Sequence, residues 1–230
     1  MKNIAIIPAR GGSKRIPRKN IKNFLGKPII SYSIEAAMYA DIFQEIMVST
    51  DDAQIADIAK KHGTKVPFLR SAATSTDTAT TVAVLLEVIA EYEKHGIKFD
   101  NLCCIYPCAP FVTPKKLITA MDMFKNNPKA NSLIPVVKFS YPPQRGLFVR
   151  GGNVQMVYPN NIDTRSQDLE PIYHDAGQFY ITSIKSLKQN EQLFCEKTIP
   201  FILPETEVQD IDTPEDWQVA EAKYTAVFNN

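Results

Sequence analysis

Strand-like and helix-like stretches alternate along the chain up to residue 137, and this rhythm restricts the fold more than any other feature. Residues 4–8 form an apolar run closed by Pro8, the pattern of a fully buried strand. Lys27-Pro28 opens a helical pattern through Ile30, Ile34, Ala37 and Met38, with proline suited to a first helical position. Further strands are predicted at 45–49, 66–69, 102–106 and 133–137. Helices are predicted at 53–62, from the end of the Thr/Ser-rich loop 74–81 to about 94, and from Pro114, capped by Thr113, to about 124. Strands joined through helices of this length imply βαβ units, hence a mainly parallel sheet covered on both faces. Ligands of such sheets bind at the carboxyl ends of the strands. The loop after the first strand, Thr50-Asp51, the entry to the Thr-rich loop and Tyr106-Pro107 all fall at such ends.

The 230 residues suit a single α/β domain, 1–230, with a small arm attached. From 140 to about 170 the rhythm breaks, and two strand-like runs, 147–150 and 153–157, flank Gly151-Gly152 as a β-hairpin. A lone hairpin needs something to pack on. The segment 140–172 is either an arm reaching to a second copy of the chain or a hairpin lying on its own domain. Beyond it come a strand at 178–181, a short helix at 183–189, a strand at 199–203 and a helix at 214–227. Thr213 caps that last helix, with Asp216 three residues on.

A formal net charge of +1 argues against general nucleic-acid or anionic-membrane binding. The first residues are too short for a signal h-region, and nothing reaches the apolar length of a membrane span. Cys103, Cys104, Cys108 and Cys195 do not match zinc-ligand spacing, so reduced thiols in a cytoplasmic protein are expected.

Against that neutral background, Arg10, Lys14, Arg15, Arg18 and Lys19 crowd into one loop with Gly11, Gly12 and Ser13. Cations this close repel unless they face solvent or share an anion. A glycine-containing turn with free N–H groups, a hydroxyl and several cations is what a polyphosphate needs. The spacing is neither that of the P-loop nor of the dinucleotide fingerprint, so an NAD-binding reading fails. Far downstream, Asp210 and Asp212 lie two residues apart in an extended segment, with side chains to one side. Two carboxylates facing one way repel, and Mg²⁺, which takes one or two carboxylates and completes its shell with waters and phosphates, suits them. A turn residue and a helix cap are the structural alternatives.

The run IIPARGGSKRIPRKN, Ser49-Thr50-Asp51, Leu69-Arg70, Thr76-Asp77-Thr78-Ala79 and Gln209-Asp210-Ile211-Asp212-Thr213-Pro214 resemble, in the same order, blocks of the CMP-sialic acid synthetase family. The resemblance covers nearly the whole chain. It implies a Rossmann-like nucleotidyltransferase fold, CTP as donor, Mg²⁺ as cofactor, and a homodimer with an exchanged arm. By position, Arg10, Ser13 and Lys19 resemble triphosphate-binding residues, with Ala9 and Gly11 in the same turn and Asn20 near the nucleotide sugar. Arg70, Ala79 and Thr81 match the surroundings of ribose and cytosine, and Asp210 and Asp212 match metal-binding aspartates. Arg10, Lys19 and the two aspartates are therefore the implied catalytic set. Asp77 is either part of this site or the N-cap of the following helix.

The string His174-Asp175-Ala176-Gly177-Gln178-Phe179-Tyr180 is similar to the subgroup acting on pseudaminic acid, a 5,7-diamino nonulosonic sugar. Tyr106, His174, Gln178 and Tyr180 are the expected sugar-facing residues, with a hydrogen-bonded surface histidine as the alternative for His174. The implied reaction joins CTP and pseudaminic acid to give the CMP-sugar and pyrophosphate. Its rivals are synthetases of CMP-sialic acid, CMP-legionaminic acid or CMP-Kdo, and, more remotely, a non-catalytic nucleotide-binding module.

Overall fold

A computed structural model describes residues 1–228. The N-terminal apolar run forms β1 (Asn3–Pro8), which pairs in parallel with both β4 (Glu45–Ser49) and β5 (Asn101–Ile105). Helices α1 (Ile29–Ala40), α2 (Ala53–Lys61), α3 (Thr81–Lys94) and α4 (Pro114–Lys125) connect the strands that lead to β6 (Ser132–Lys138). The sheet order is β11-β6-β10-β5-β1-β4, where β10 is Phe179–Ser183 and β11 is Thr198–Leu203. β10 runs antiparallel between β5 and β6, whereas β11 joins β6 in parallel. A short β9 (Tyr173–Asp175) pairs antiparallel with the end of β6 that β10 does not reach.

Strand alternation divides the core into two layers. Ala5, Ile7, Cys103, Ile105, Phe179 and Ile181 face α1, α2 and α4, meeting Ile34, Ile55 and Leu117. Ile4, Ile6, Leu102, Cys104 and Tyr180 face the other way, against Leu85, Val88 and Ile89 of α3 and Leu187 of α5 (Ile184–Asn190). The result is the three-layer, mainly parallel α/β fold expected from the sequence. Among the described residues no helix is long and apolar enough to cross a membrane.

Two expectations need correction. Residues 66–69 form no strand; the one ladder bridge to β4 in this stretch is Met47 to Lys65. Lys27–Pro28 does not start a helix but pairs with Asn23–Phe24, giving β3 and β2 of a two-residue ladder. Pro28, extended at ψ 135°, is the residue before α1, and its carbonyl accepts from Ser31 Oγ at 2.6 Å.

The hairpin forms as β7 (Leu147–Arg150) and β8 (Asn153–Met156). Its base is held by Arg145 Nη1 donating to Thr164 O at 2.7 Å and Gln144 Nε2 donating to Glu170 O at 2.8 Å. Val149 and Val154 remain 74% and 65% exposed, so the hairpin's apolar side chains are not covered by their own domain.

The final helix, α6 (Pro214–Phe228), docks by an aromatic cluster of its own. Phe24 lies edge-on to Tyr32, Trp217 and Tyr224, with ring centres 5.5, 5.5 and 5.7 Å away. The same cluster buries Ile16 from the basic loop and Ile211 from the aspartate segment. Packing therefore joins the two ends of the chain. Phe24→Ala should cost about 3–5 kcal/mol of stability, read as a lower midpoint in urea unfolding followed by circular dichroism.

Candidate functional site

The basic turn grows directly from β1. Ala9, fully buried, continues the parallel ladder by donating its N–H to Ser49 O at 2.8 Å. Gly11 N then donates to Asp51 Oδ1 at 2.9 Å, and a Cβ at this glycine would stand 2.7 Å from Asp52 Oδ2. Only a residue without a side chain fits there. Asn20 is buried beneath the turn, its Nδ2 donating to Arg10 O at 2.9 Å and its Oδ1 accepting from Cys108 Sγ at 3.2 Å.

Carboxylates from three segments hold the loop's five cations. Arg18, in the left-handed region at φ 56°, reaches Asp52 with two hydrogen bonds of 2.6 and 3.0 Å. That guanidinium holds the Asp52 carboxyl below the usual carboxylate range. Arg10 pairs with Asp77 at 2.5 Å, and Lys14 pairs with the same carboxylate. Arg15 Nη2 lies 2.8 Å and Lys19 Nζ 3.4 Å from Asp212 Oδ1, and Lys19 also donates to Ile211 O at 2.7 Å.

Asp210 and Asp212 sit in an irregular segment between β11 and α6 rather than in a strand. Asp216 fixes its downstream end: its Oδ2 accepts from Asp212 N at 3.1 Å and Thr213 N at 2.8 Å, while Thr213 Oγ1 accepts from Asp216 N at 3.2 Å. Aspartate thus closes the capping box read from the sequence. Gly177, at φ 62°, sits beside Asp210; a Cβ there would be 4.0 Å from the carboxylate carbon. Packing around Asp210 and the nearby charge of Asp212 raise the Asp210 carboxyl above its ordinary value.

One cleft of about 440 Å³ brings seven of the fifteen predicted residues together. Arg10, Ser13, Lys19, Asn20 and Tyr106 line it opposite Asp210 and Asp212. A second cavity of about 390 Å³ lies against the same two aspartates and holds His174 with Lys138, Gln209 and Lys223. His174 is exposed, its Nδ1 within 2.9 Å of Asp175 O and its ring 4.6 Å from Phe139. Other predicted residues do not line the cleft. Arg70 is buried, donating Nη2 to Ser49 O at 2.6 Å, and its desolvation pushes the guanidinium below its usual range. Gln178 donates to Glu207 O at 2.6 Å, and Tyr180 donates to Asp175 Oδ2 at 2.7 Å. The Tyr180 ring meets Tyr106, whose hydroxyl is 3.4 Å from Thr81 Oγ1. Ala79 N donates to Thr76 O at 3.3 Å in the approach to α3.

Sequence reasoning left Asp77 open between two roles, and the structure excludes the cap: Thr80 accepts from Ala83 N at 3.1 Å and caps α3, whereas Asp77 lines the cleft. Cys108 also lines it, and burial pushes its thiol up to about 12, so at neutral pH it is not a thiolate nucleophile. The strand end after Tyr106 was the only signal for it.

Among the described residues no group of three or more His, Cys, Asp or Glu side chains converges as a metal cage. Two carboxylates beside a cation-rich loop nevertheless suit a hard divalent cation that keeps waters and takes substrate oxygens. Burial and, after it, the charge of Asp212 raise Asp210, and such an ion would relieve the repulsive part.

Residues 4–202 match the family model described as cytidylyltransferase. The chain is 42% identical over 225 residues to a pseudaminic acid cytidylyltransferase of Campylobacter jejuni, covering 97% of each protein. It is 34% identical over 224 residues to a CMP-N,N'-diacetyllegionaminic acid synthase of Legionella pneumophila, covering 96% of this chain and 95% of that one. In three dimensions it is similar to a CMP:2-keto-3-deoxy-manno-octonic acid synthetase complexed with CTP, with TM-score 0.71 and 19% identity over 98% of this chain and 99% of the other.

The raised Asp210 carboxyl carries a stability consequence. A carboxyl with a higher pKa in the folded state stabilises below its unfolded pKa, and that contribution is lost as pH rises through the folded value. At neutral pH the ionised Asp210 is a burden that an amide lacks. Asp210→Asn should therefore melt no earlier than the parent at pH 7.5 in a ligand-free thermal scan, even where turnover is lost.

Proposed function

The chain belongs to the cytidylyltransferase family, and we propose that it joins CTP to a nonulosonic acid, pseudaminic acid, releasing pyrophosphate. The observation that carries this reading is the shared cleft, where a polyphosphate-suited turn faces two aspartates nearly two hundred residues away in sequence. The acceptor is supported by the relationship to the Campylobacter enzyme and by the Asp175-to-Tyr180 string.

In this reading Ser13, Arg10, Lys14 and Lys19 bind the triphosphate, the basic side chains exchanging Asp77 and Asp212 for phosphate oxygens. Asn20, held under the turn, keeps the Arg10 carbonyl and the loop in place. Arg70, Ala79 and Thr81 serve the ribose and base side, Arg70 from behind by fixing the end of β4. The acceptor occupies the cavity across Asp210 and Asp212, beside His174, while Tyr106 backed by Tyr180 and Gln178 shapes the floor between. The anomeric hydroxyl oxygen attacks the α-phosphorus in line, forming the new P–O bond as the bond to the β-phosphate oxygen breaks. The hydroxyl proton leaves to solvent. Charge grows on the departing pyrophosphate, and Arg10 and Lys19 act by binding that charge more tightly in the transition state. Asp210 and Asp212 would hold Mg²⁺, which supplies Lewis-acid neutralisation of phosphate oxygens when bound. Positioning and charge, rather than covalent catalysis by the protein, carry such transfers.

We also propose a cytoplasmic homodimer joined through the 140–172 arm, because Val149, Val154 and Ile162 expose apolar surface that a second copy would cover. Val149→Asp combined with Val154→Asp should convert a dimer to a monomer in light scattering; an unchanged mass rejects the arm's role.

Pyrophosphate release with CTP against the other nucleoside triphosphates, and with a panel of nonulosonic acids, tests the reaction. CTP and pseudaminic acid should give the highest kcat/KM, and CTP binding without pyrophosphate release would overturn it. Asp212→Asn and Arg10→Ala should each lose ~10²-fold in kcat/KM, roughly 3 kcal/mol of transition-state stabilisation.

A further inference from the structure

The segment carrying Asp210 and Asp212 has no strand partner, so its position depends on side chains that reach it from elsewhere. Just upstream, Glu207 Oε2 meets the ammonium of Lys116 at 2.7 Å, and that ammonium also donates to Phe111 O at 2.7 Å. Gln178 ties the same residue to the start of β10 through the Glu207 carbonyl. Lys116 lies in the first turn of α4, where a cation opposes the helix dipole. Its side chain is only 11% exposed; burial lowers the ammonium pKa, and Glu207 pulls it back up. Neither helix propensity nor solvation explains a lysine at this place. Its partner does.

We propose that Lys116 is a positioning residue which, through Glu207, anchors the 207–212 segment so that Asp210 and Asp212 present their carboxylates together to the cleft. The inference rests on the reading of those aspartates as the holders of Mg²⁺. Lys116 is not among the residues that line the cleft. Its loss should weaken cation binding while leaving the affinity for metal-free CTP unchanged.

The test is a Mg²⁺ titration of the CTP-bound protein, following the rise in Tm, alongside the Mg²⁺ dependence of pyrophosphate release. Lys116→Met should raise the half-saturating Mg²⁺ concentration in both readouts by about tenfold, the low end for residues that orient metal ligands from outside the coordination shell. Glu207→Gln, which keeps the shape and removes the charge, should shift it the same way. Lys116→Arg should restore the parent value. Half-saturation equal to the parent in both Lys116→Met and Glu207→Gln would overturn the inference, as would a loss of metal-free CTP affinity matching the metal effect. A parent protein whose CTP complex shows no Mg²⁺-dependent rise in Tm would instead overturn the metal reading, and this inference with it.

Discussion

Five cations within ten residues of one turn repel each other, and the fold answers with carboxylates drawn from three remote segments. Asp52 comes from the strand end beside β1, Asp77 from the loop before α3, and Asp212 from the approach to α6. These contacts are partly exposed, so they contribute little to global stability. Their effect is geometric. Asp77 and Asp212 bring their segments to the lining of one cleft, while Asp52 braces the turn from the end of β4.

The sheet makes this convergence possible. A purely parallel sheet would carry the chain after β6 away from β5, but β10 enters antiparallel between them. The turn preceding β10 therefore lies at the same edge as the ends of β1, β4 and β5. Gly177 comes to rest beside Asp210, and Tyr180 beside Tyr106. One reversed strand thus makes the cavity beside His174 and the cleft under the basic turn neighbours.

Much of this was legible in the residues. Apolar period and capping signals marked the helices well, because Thr113-Pro114 and Thr213 with Asp216 act locally. The basic turn and the aspartate pair stood out because their charges make no sense in isolation. What failed was also local: Lys27-Pro28 has the composition of a helix start, yet pairing with Asn23–Phe24 takes it into a ladder. Residues 66–69 are apolar enough for a strand but make no ladder with β4, which bridges only to Lys65 before them. Asp77 as a counter-ion and the Lys116–Glu207 pair depend on contacts between distant segments, which no window along the chain contains. Lys116 in particular reads as an ordinary exposed helix lysine until its burial is seen.

The aromatic cluster around Phe24 has an implication for how the protein folds. Trp217 and Tyr224 close over a loop nearly two hundred residues earlier in the chain. The strands of the sheet can therefore pair before α6 docks, while the cleft bordered by Ile16 and Ile211 stays unfinished. The cleft takes its final shape only once α6 has packed on Phe24.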